Sequence, residues 1–335
     1  MVGASLGDRL MASANSKVLL RPASVDDVGL VADLATLYDP DDPRDPEMLR
    51  FTWESSPKDE PVVRMFAAAG KKTIGYFAAG HGPWQPQTER FGWIRVVIEP
   101  GSWTKGRHVE LVGAAEDWQR TEGASTVVAR LRSRFGSEIE SLLALGYREV
   151  RRQSEWELDL AGRKEGLLAT AAAAREKMKA SGVSMLTLDR DDDPDKMQKV
   201  YDLTNESEQD IPTTVPIRTL PYDDWYRLWF ASPAIRFDRV WIARLGDDVV
   251  GISMIEIPPV RGVAWTAYTG VAKRARGRGI ARALKYETIA QAIDLGLTRI
   301  RTSNDGDNAP ILHINAEMGY QRLDPMIELH RPLES

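Results

Sequence analysis

The chain has 335 residues, of which 43% are hydrophobic, and a formal net charge of −5. This length predicts about two domains, and the acidic balance argues against a general nucleic-acid-binding protein, which usually carries a basic excess. The sequence has no cysteine and only four scattered histidines, so we expect no disulfide, no thiolate nucleophile and no metal site.

Membrane insertion is not expected either. No apolar run approaches the ~18 residues that span a bilayer, and residues 1–17 lack the continuous apolar segment of a signal peptide. We therefore expect a soluble cytoplasmic protein, monomeric or homodimeric, with no membrane partner.

The first half of the chain predicts alternating strands and helices. Ser24 is a candidate helix cap, and a loop rich in Asp and Pro follows the first helix at 39–46. The predicted strands are Lys17–Arg21, Val62–Ala68, Thr73–Ala79, Phe91–Val97, Ser125–Leu131 and Glu149–Leu160. The predicted helices run from Ser24 to Leu37, Pro46 to Ser55, Gly106 to Thr121 and Ser137 to Ala144.

The second half repeats this plan after a connecting helix. Arg163–Ser181 is rich in Ala, Glu, Lys and Leu and is followed by Gly182, which predicts a helix and its end. The predicted strands are Leu186–Leu188, Arg239–Arg244, Val249–Ile257, Gly262–Ala272, Thr298–Thr302 and Met326–Arg331. The predicted helices end near Thr204, Phe230, Leu295 and Met318.

A basic, glycine-rich turn at 276–279 lies between a predicted strand and a predicted helix. Its glycines let backbone N–H groups approach a ligand closely, and a helix N-terminus favours an anion. Lys273, Arg274 and Arg282 add positive charge, so the turn predicts a phosphate site. Neither common nucleotide pattern fits: G-x-x-x-x-G-K-[ST] does not occur, and Arg282 stands where G-x-G-x-x-G needs its third glycine.

The two halves also match each other at a fixed separation. Gly146 and Gly319 lie 173 positions apart, and at the same offset Leu111 falls on Leu284 and Tyr147 on Tyr320. This agreement predicts two copies of one β/α unit. The copies differ at the turn, where Trp103, Thr104 and His108 stand for Arg276, Gly277 and Ala281. The first copy keeps the frame without the phosphate turn.

The pattern Arg276-x-x-Gly279-x-Ala281 resembles the [QR]-x-x-G-x-[GA] signature of the GNAT acetyltransferases, and Asn308–Tyr320 is similar to the family's N-x-x-[AS]-x-x-x-Y-x-x-x-G-F. The whole chain resembles a tandem GNAT protein of mycothiol-synthase-like architecture. This implies an α/β (α+β) fold of two tandem GNAT domains, each with a mixed, mostly antiparallel central sheet flanked by helices. The expected ranges are a degenerate GNAT domain at 17–160, a linker helix at 161–183 and a GNAT domain with the cofactor site at 184–333.

The resemblance further implies that the C-terminal domain binds acetyl-CoA. The strand before the turn would pair with the pantetheine arm, the turn would hold the pyrophosphate, and two asparagines would contact the arm. The cofactor-binding residues so implied are Thr269, Gly270, Val271, Arg276, Gly277, Arg278, Gly279, Ile280, Ala281, Arg282, Asn304 and Asn308.

The catalytic residues are less clearly marked. The frequent general-acid tyrosine of the family falls on Asn315, whose amide could only hydrogen-bond the sulfur or the carbonyl. The strand before the turn carries no acid, so Glu256 is the nearest candidate base and Tyr268 an alternative. We expect direct acetyl transfer to a primary amine of a small molecule at this single site. The alternative is a non-catalytic acyl-CoA-binding sensor or an interaction protein.

Overall fold

A computed structural model of the chain describes residues 18–56, 61–82, 90–211, 213–215, 219–305 and 309–333. Contacts within the chain divide it into two compact units. Unit 1 comprises Met1–Gln153, Thr213–Arg218 and Asp324–Ser335, and unit 2 comprises Ser154–Pro212 and Thr219–Leu323. The domain ranges 17–160, 161–183 and 184–333 remain a prediction.

Unit 1 is built on a sheet in the order β1-β2-β3-β4-β5-β13-β6, of which β6 contributes residues up to 153. Only the β4–β5 pair among these described strands is parallel. The strands are β1 (Leu19–Pro22), β2 (Val62–Ala69), β3 (Lys72–His81), β4 (Phe91–Ile98), β5 (Thr126–Arg132), β6 (Arg148–Asp159) and β13 (Met326–Pro332).

Four helices of unit 1 cover both faces of this sheet. They are α1 (Val28–Tyr38), α2 (Pro46–Glu54), α3 (Lys105–Thr121) and α4 (Gly136–Ala144). One core joins Leu111 and Trp118 of α3 to Phe77 of β3, and the other joins α1 to Phe66 and Tyr76. Alternate residues of a strand point to opposite faces, which is why neighbours such as Tyr76 and Phe77 enter different cores.

The strands of unit 2 lie in the order β6-β11-β10-β9-β8-β7, of which β6 contributes residues from 154 on, and β12 also pairs with β6. Here β10 and β11 are parallel, whereas the pairs among β7, β8, β9 and β10 are antiparallel. The strands are β7 (Val183–Thr187), β8 (Val240–Leu245), β9 (Asp248–Glu256), β10 (Ala264–Val271), β11 (Arg299–Asp305) and β12 (Gln321–Arg322).

In the part of unit 2 that the structure describes, five helices flank the strands: α5 (Lys164–Ala180), α6 (Lys196–Glu208), α7 (Tyr222–Trp229), α8 (Ile280–Asp294) and α9 (Ala309–Met318). The predicted fold class is confirmed, because both units have a mixed, mostly antiparallel sheet flanked by helices. Among the residues that the structure describes, every helix falls short of the length and apolarity needed to cross a bilayer.

The element bounds agree with the sequence repeat. β4 and β10 begin at Phe91 and Ala264 and end at Ile98 and Val271, a separation of 173 positions at both ends. The same separation relates β5 to β11, the last residues of α3 and α8, and the first residues of α4 and α9. The two units therefore repeat one arrangement: a strand, a turn and helix, a parallel strand, and a second helix.

Candidate active site

Strand β10 of unit 2 is irregular at its centre. It pairs antiparallel with β9, but Thr266 lies opposite Ile255 and Tyr268 opposite Met254, so that Ala267 is an extra residue. Its parallel pairing with β11 is recorded at Ala264 and Trp265, ahead of this bulge. Bulges redirect side chains and are common beside active sites. The second half of β10 is therefore the part of the strand best placed to meet a ligand.

The basic turn that follows β10 has the backbone that its glycines predict. Gly277 and Gly279 both have positive φ, +77° and +81°, in the left-handed region that favours glycine. Gly279 is the N-cap of α8 and provides no side chain to bond the first N–H groups of the helix. These donors and the helix dipole make the turn suitable for an anion.

Most cations of the turn already have carboxylate partners. Asp210 lies 3.3 Å from Lys273 and 2.7 Å from Arg276, and these contacts lower the pKa of its carboxyl, the hydrogen bond from Arg276 most. Arg274 pairs with Asp248 at 2.9 Å and Arg282 with Glu317 at 2.8 Å. Arg278 is exposed and forms no ion pair with the described residues. An incoming anion would therefore have to displace the Asp210 carboxylate from Lys273 and Arg276.

The predicted pantetheine-pairing residues border the turn at the end of β10. The Thr269 hydroxyl lies 2.9 Å from that of Ser253, and the Val271 carbonyl accepts a hydrogen bond from Arg276. Gly270 has no room for a side chain, because a Cβ there would lie 2.7 Å from Ser207 Oγ and 2.9 Å from Tyr268 Oη. Glycine at this position therefore lets Ser207 and the ring of Tyr268 pack directly against the strand.

Tyr268, the first residue after the bulge, faces α6 and α7. Its hydroxyl lies 2.7 Å from Ser207 Oγ, and its ring meets Trp229 edge to face at 4.8 Å. Burial raises the pKa of its phenol well above the ordinary value. Tyr268 therefore keeps its proton at neutral pH and can donate it.

Glu208 was not predicted from the sequence as a site residue. It is the last residue of α6, next to the Ser207 that bonds Tyr268. Burial raises the pKa of its carboxyl to about 7, and its charge contributes to the raised pKa of Tyr268. The available signal was its spacing four residues after the fully buried Thr204, which places both on one helix face. A carboxyl with this pKa suits a general base at neutral pH.

The other predicted site residues differ in burial and in the contacts that they make. Glu256 ends β9 opposite Trp265 and is partly buried. Asn315 is fully buried and donates from Nδ2 to Asn304 Oδ1 at 2.6 Å, while its own Oδ1 has no hydrogen-bond partner among the described residues. Ile280 is buried in the core, and Ala281 packs beside it. Asn308 lies outside the described residues.

Comparisons with known proteins give one family match and several similar folds. Residues 197–320 match the model of the Acetyltransferase (GNAT) family. A tandem GNAT protein from the clavulanic acid biosynthesis pathway superposes with a TM-score of 0.74 at 15% identity, over 95% of this chain and 99% of its own. A GCN5-related N-acetyltransferase from Sphaerobacter thermophilus gives 0.68 at 17% identity, over 96% and 97%. N-myristoyltransferase from Saccharomyces cerevisiae, solved with myristoyl-CoA, gives 0.63 at 10% identity, over 97% and 81%.

No curated protein matches the sequence. The structural likenesses, all below 25% identity, show the fold. The family match covers the described site, since β10, the turn and Glu208 all lie within 197–320. The chain thus has the fold of a tandem GNAT protein, and its residues 197–320 match the acetyltransferase (GNAT) family.

Proposed function

We propose that unit 2 binds acetyl-CoA and transfers its acetyl group directly to a primary amine of a small molecule, and that it holds the single active site of the chain. The observation that carries this proposal is the turn at Gly277 and Gly279, which leads from a bulged strand into a helix with no side-chain cap. In unit 1 the corresponding helix begins with a side-chain cap.

The residues present fit the cofactor. The first N–H groups of α8 and the guanidinium group of Arg278 can bond the pyrophosphate, and Lys273 and Arg276 can exchange Asp210 for it. Backbone groups of Thr269, Gly270 and Val271 can pair with the amides of the pantetheine arm, as an added strand does. Asn304 and Asn308 are proposed to contact the same arm.

Acetyl-CoA, when bound, supplies an acetyl thioester. The amine nitrogen must lose a proton to form the new C–N bond, and we assign that proton to the Glu208 carboxylate, whose pKa of about 7 lets it accept. The C–S bond breaks as the C–N bond is completed, and the Tyr268 hydroxyl can protonate the departing sulfur, since burial keeps it protonated. No cysteine is available to carry the acetyl group, so we infer direct transfer.

The proposal changes the roles of two predicted catalytic residues: Tyr268 is a proton donor and not an alternative base, and Asn315 is a positioning residue. Glu256, partly buried at the end of β9, is the second candidate for the base. Asn315 is fully buried and holds the side chain of Asn304. We propose that it positions Asn304 and does not touch the substrate itself.

A thiol-release assay with a panel of primary amines tests the proposed function. Steady release from acetyl-CoA, dependent on one class of amine and accompanied by an acetylated product, is expected. The same panel run with longer acyl-CoA donors tests the preference for acetyl, because a similar fold is known with myristoyl-CoA. Binding of acetyl-CoA without turnover for any amine would instead support a non-catalytic sensor.

A further inference from the structure

Unit 1 contains a cavity of about 270 Å³ at the place where β4 and β5 stop pairing. The two strands pair in parallel from Phe91 opposite Thr126 to Ile94 opposite Ala129. The residues that follow on each strand, beginning with Arg95 and Arg130, line the cavity. It lies within unit 1 and is separate from the turn assigned to acetyl-CoA.

The cavity wall carries one more positive than negative charge. Among the described residues that line it are four arginines and one carboxylate, that of Asp39, and two further carboxylates, Asp42 and Glu328, pair with these arginines. Three of these arginines have carboxylate partners: Arg44 with Asp42 at 3.0 Å, Arg130 with Glu328 at 2.7 Å, and Arg132 with Asp39 at 3.2 Å and Asp42 at 3.3 Å. The fourth, Arg95, forms no hydrogen bond or ion pair with any residue that the structure describes.

Arg95 is held in an unfavourable environment. The charge of Arg44 and then burial lower the pKa of its guanidinium from 12.5 to about 10, and the charge of Asp42 offsets only part of this effect. It still carries its charge at neutral pH, and a partly buried cation beside another cation is destabilising unless an anion pairs with it. A planar carboxylate matches the fork of N–H donors on a guanidinium.

The remaining wall of the cavity is apolar and aromatic. Tyr38 stacks on Phe135 with ring centroids 4.3 Å apart, and both line the cavity with Val112, Leu142 and Met326. His108 also faces it, but burial lowers the pKa of its imidazole to about 4, so it adds no charge. The volume equals that of about nine waters at ~30 Å³ each, which is far too small for an acyl-CoA.

We propose that this cavity binds a small organic carboxylate of roughly ten non-hydrogen atoms, with its carboxylate paired to Arg95 and its apolar body against Tyr38 and Leu142. Unit 1 would then bind an organic acid, and would not be a copy of unit 2 without a ligand of its own.

Calorimetric titration of the full chain with benzoate, isovalerate, benzamide and phenyl phosphate tests this proposal. Benzoate or isovalerate is expected to bind, and benzamide, which has the shape of benzoate without its charge, is not. Arg95→Met is expected to weaken carboxylate binding by at least about tenfold, and Arg95→Lys, which keeps the charge but not the fork, by less. Arg50→Met, at a half-buried arginine of α2 that lies 4.0 Å from Glu47 and does not line the cavity, is the matched control and is expected to bind as the parent does.

A second readout separates a ligand site from a structural role. Without ligand, Arg95→Met is expected to raise the melting temperature, because it removes a cation that lacks a partner. A lower melting temperature together with unchanged benzoate binding overturns the proposal, as does displacement of benzoate by coenzyme A. Tighter binding of phenyl phosphate than of benzoate overturns the assignment to a carboxylate. Gly279→Glu is expected to leave benzoate binding intact, so this test does not depend on acetyl transfer.

Discussion

Units 1 and 2 share one arrangement of strands and helices and differ at three corresponding positions. The helix after the central strand is capped in unit 1 by Thr104, whose hydroxyl accepts from the Arg107 N–H at 3.2 Å, whereas in unit 2 it begins at the left-handed Gly279. β4 pairs with β3 without a register shift, whereas β10 has a bulge. The residue after that point is Arg95 in unit 1 and Tyr268 in unit 2. If both proposed sites are correct, a few local differences on a common arrangement of strands and helices are enough to exchange one kind of ligand site for another.

The largest expected effect separates the two turns. Gly279→Glu places a carboxylate where we assign the pyrophosphate and forces a Cβ onto a backbone at φ +81°, so affinity for acetyl-CoA should fall by at least ~100-fold. Gly279→Ala carries the same strain without the charge and should retain more affinity. Gly106→Glu, the counterpart in unit 1, has open space around it and should bind as the parent does. Calorimetric titration measures all three, and equal losses for the two glutamate variants would refute the comparison.

Glu208→Gln should lower kcat/KM by ~10²- to 10³-fold. In the parent, the rate should fall as pH drops below about 7, where Glu208 takes up a proton, and this dependence should vanish in the variant. Glu256→Gln is the comparison variant. If it abolishes activity and Glu208→Gln does not, Glu256 is the general base and Glu208 is not.

Glu208 should also weaken the fold at high pH. Its carboxyl has a pKa of about 7 in the folded chain against an ordinary value of 4.5. The folded state therefore binds more protons between these values, and stability declines as pH rises through that window. At pH 8 the Glu208→Gln variant should be more stable than the parent by on the order of 2 kcal/mol, in contrast to its loss of activity. Urea unfolding at pH 5 and pH 8 measures the difference.

Tyr268→Phe should reduce kcat by ~10- to 100-fold with little change in acetyl-CoA affinity. The ring and its contact with Trp229 remain, and only the hydroxyl bonded to Ser207 is lost. Ser207→Ala removes the same hydrogen bond but leaves the phenol, and is expected to cost less. A KM for acetyl-CoA that rises as much as kcat falls would indicate a binding role instead of proton donation.

The smallest effect concerns the cap of unit 1. Thr104→Ala removes the side chain that accepts from the Arg107 N–H and should destabilise the chain by ~1 kcal/mol. It should not create a second cofactor site, because the turn before the helix of Lys105 and Arg107 has no glycine with a positive φ. Acetyl-CoA should titrate at one molecule per chain in parent and variant. Two molecules bound to the parent would contradict the assignment to unit 2 alone.

The sequence predicted those parts of the site whose structure is local. Gly277 and Gly279 encode a left-handed backbone directly. The repeat of 173 positions, inferred from a few matched residues, is found again in the observed strand and helix bounds. The bulge at Ala267 was not predictable, since it depends on how β10 aligns with β9. No motif marks Glu208 or Arg95 either. Their altered pKa values come from burial and from charges on segments distant in sequence, such as Arg44 for Arg95.

Strand β13 bears on the order in which the chain can fold. It lies between β5 and β6 in unit 1, with Ile327 opposite both Leu131 and Arg152, although some 170 residues separate it from the nearer of these strands. During synthesis the sheet of unit 1 stays incomplete until all of unit 2 has left the ribosome. Closing it requires a contact of very high sequence separation, which slows folding. The first unit to be translated is thus the last to be finished, and until then β5 has an unpaired edge that a chaperone or a neighbouring nascent chain could occupy.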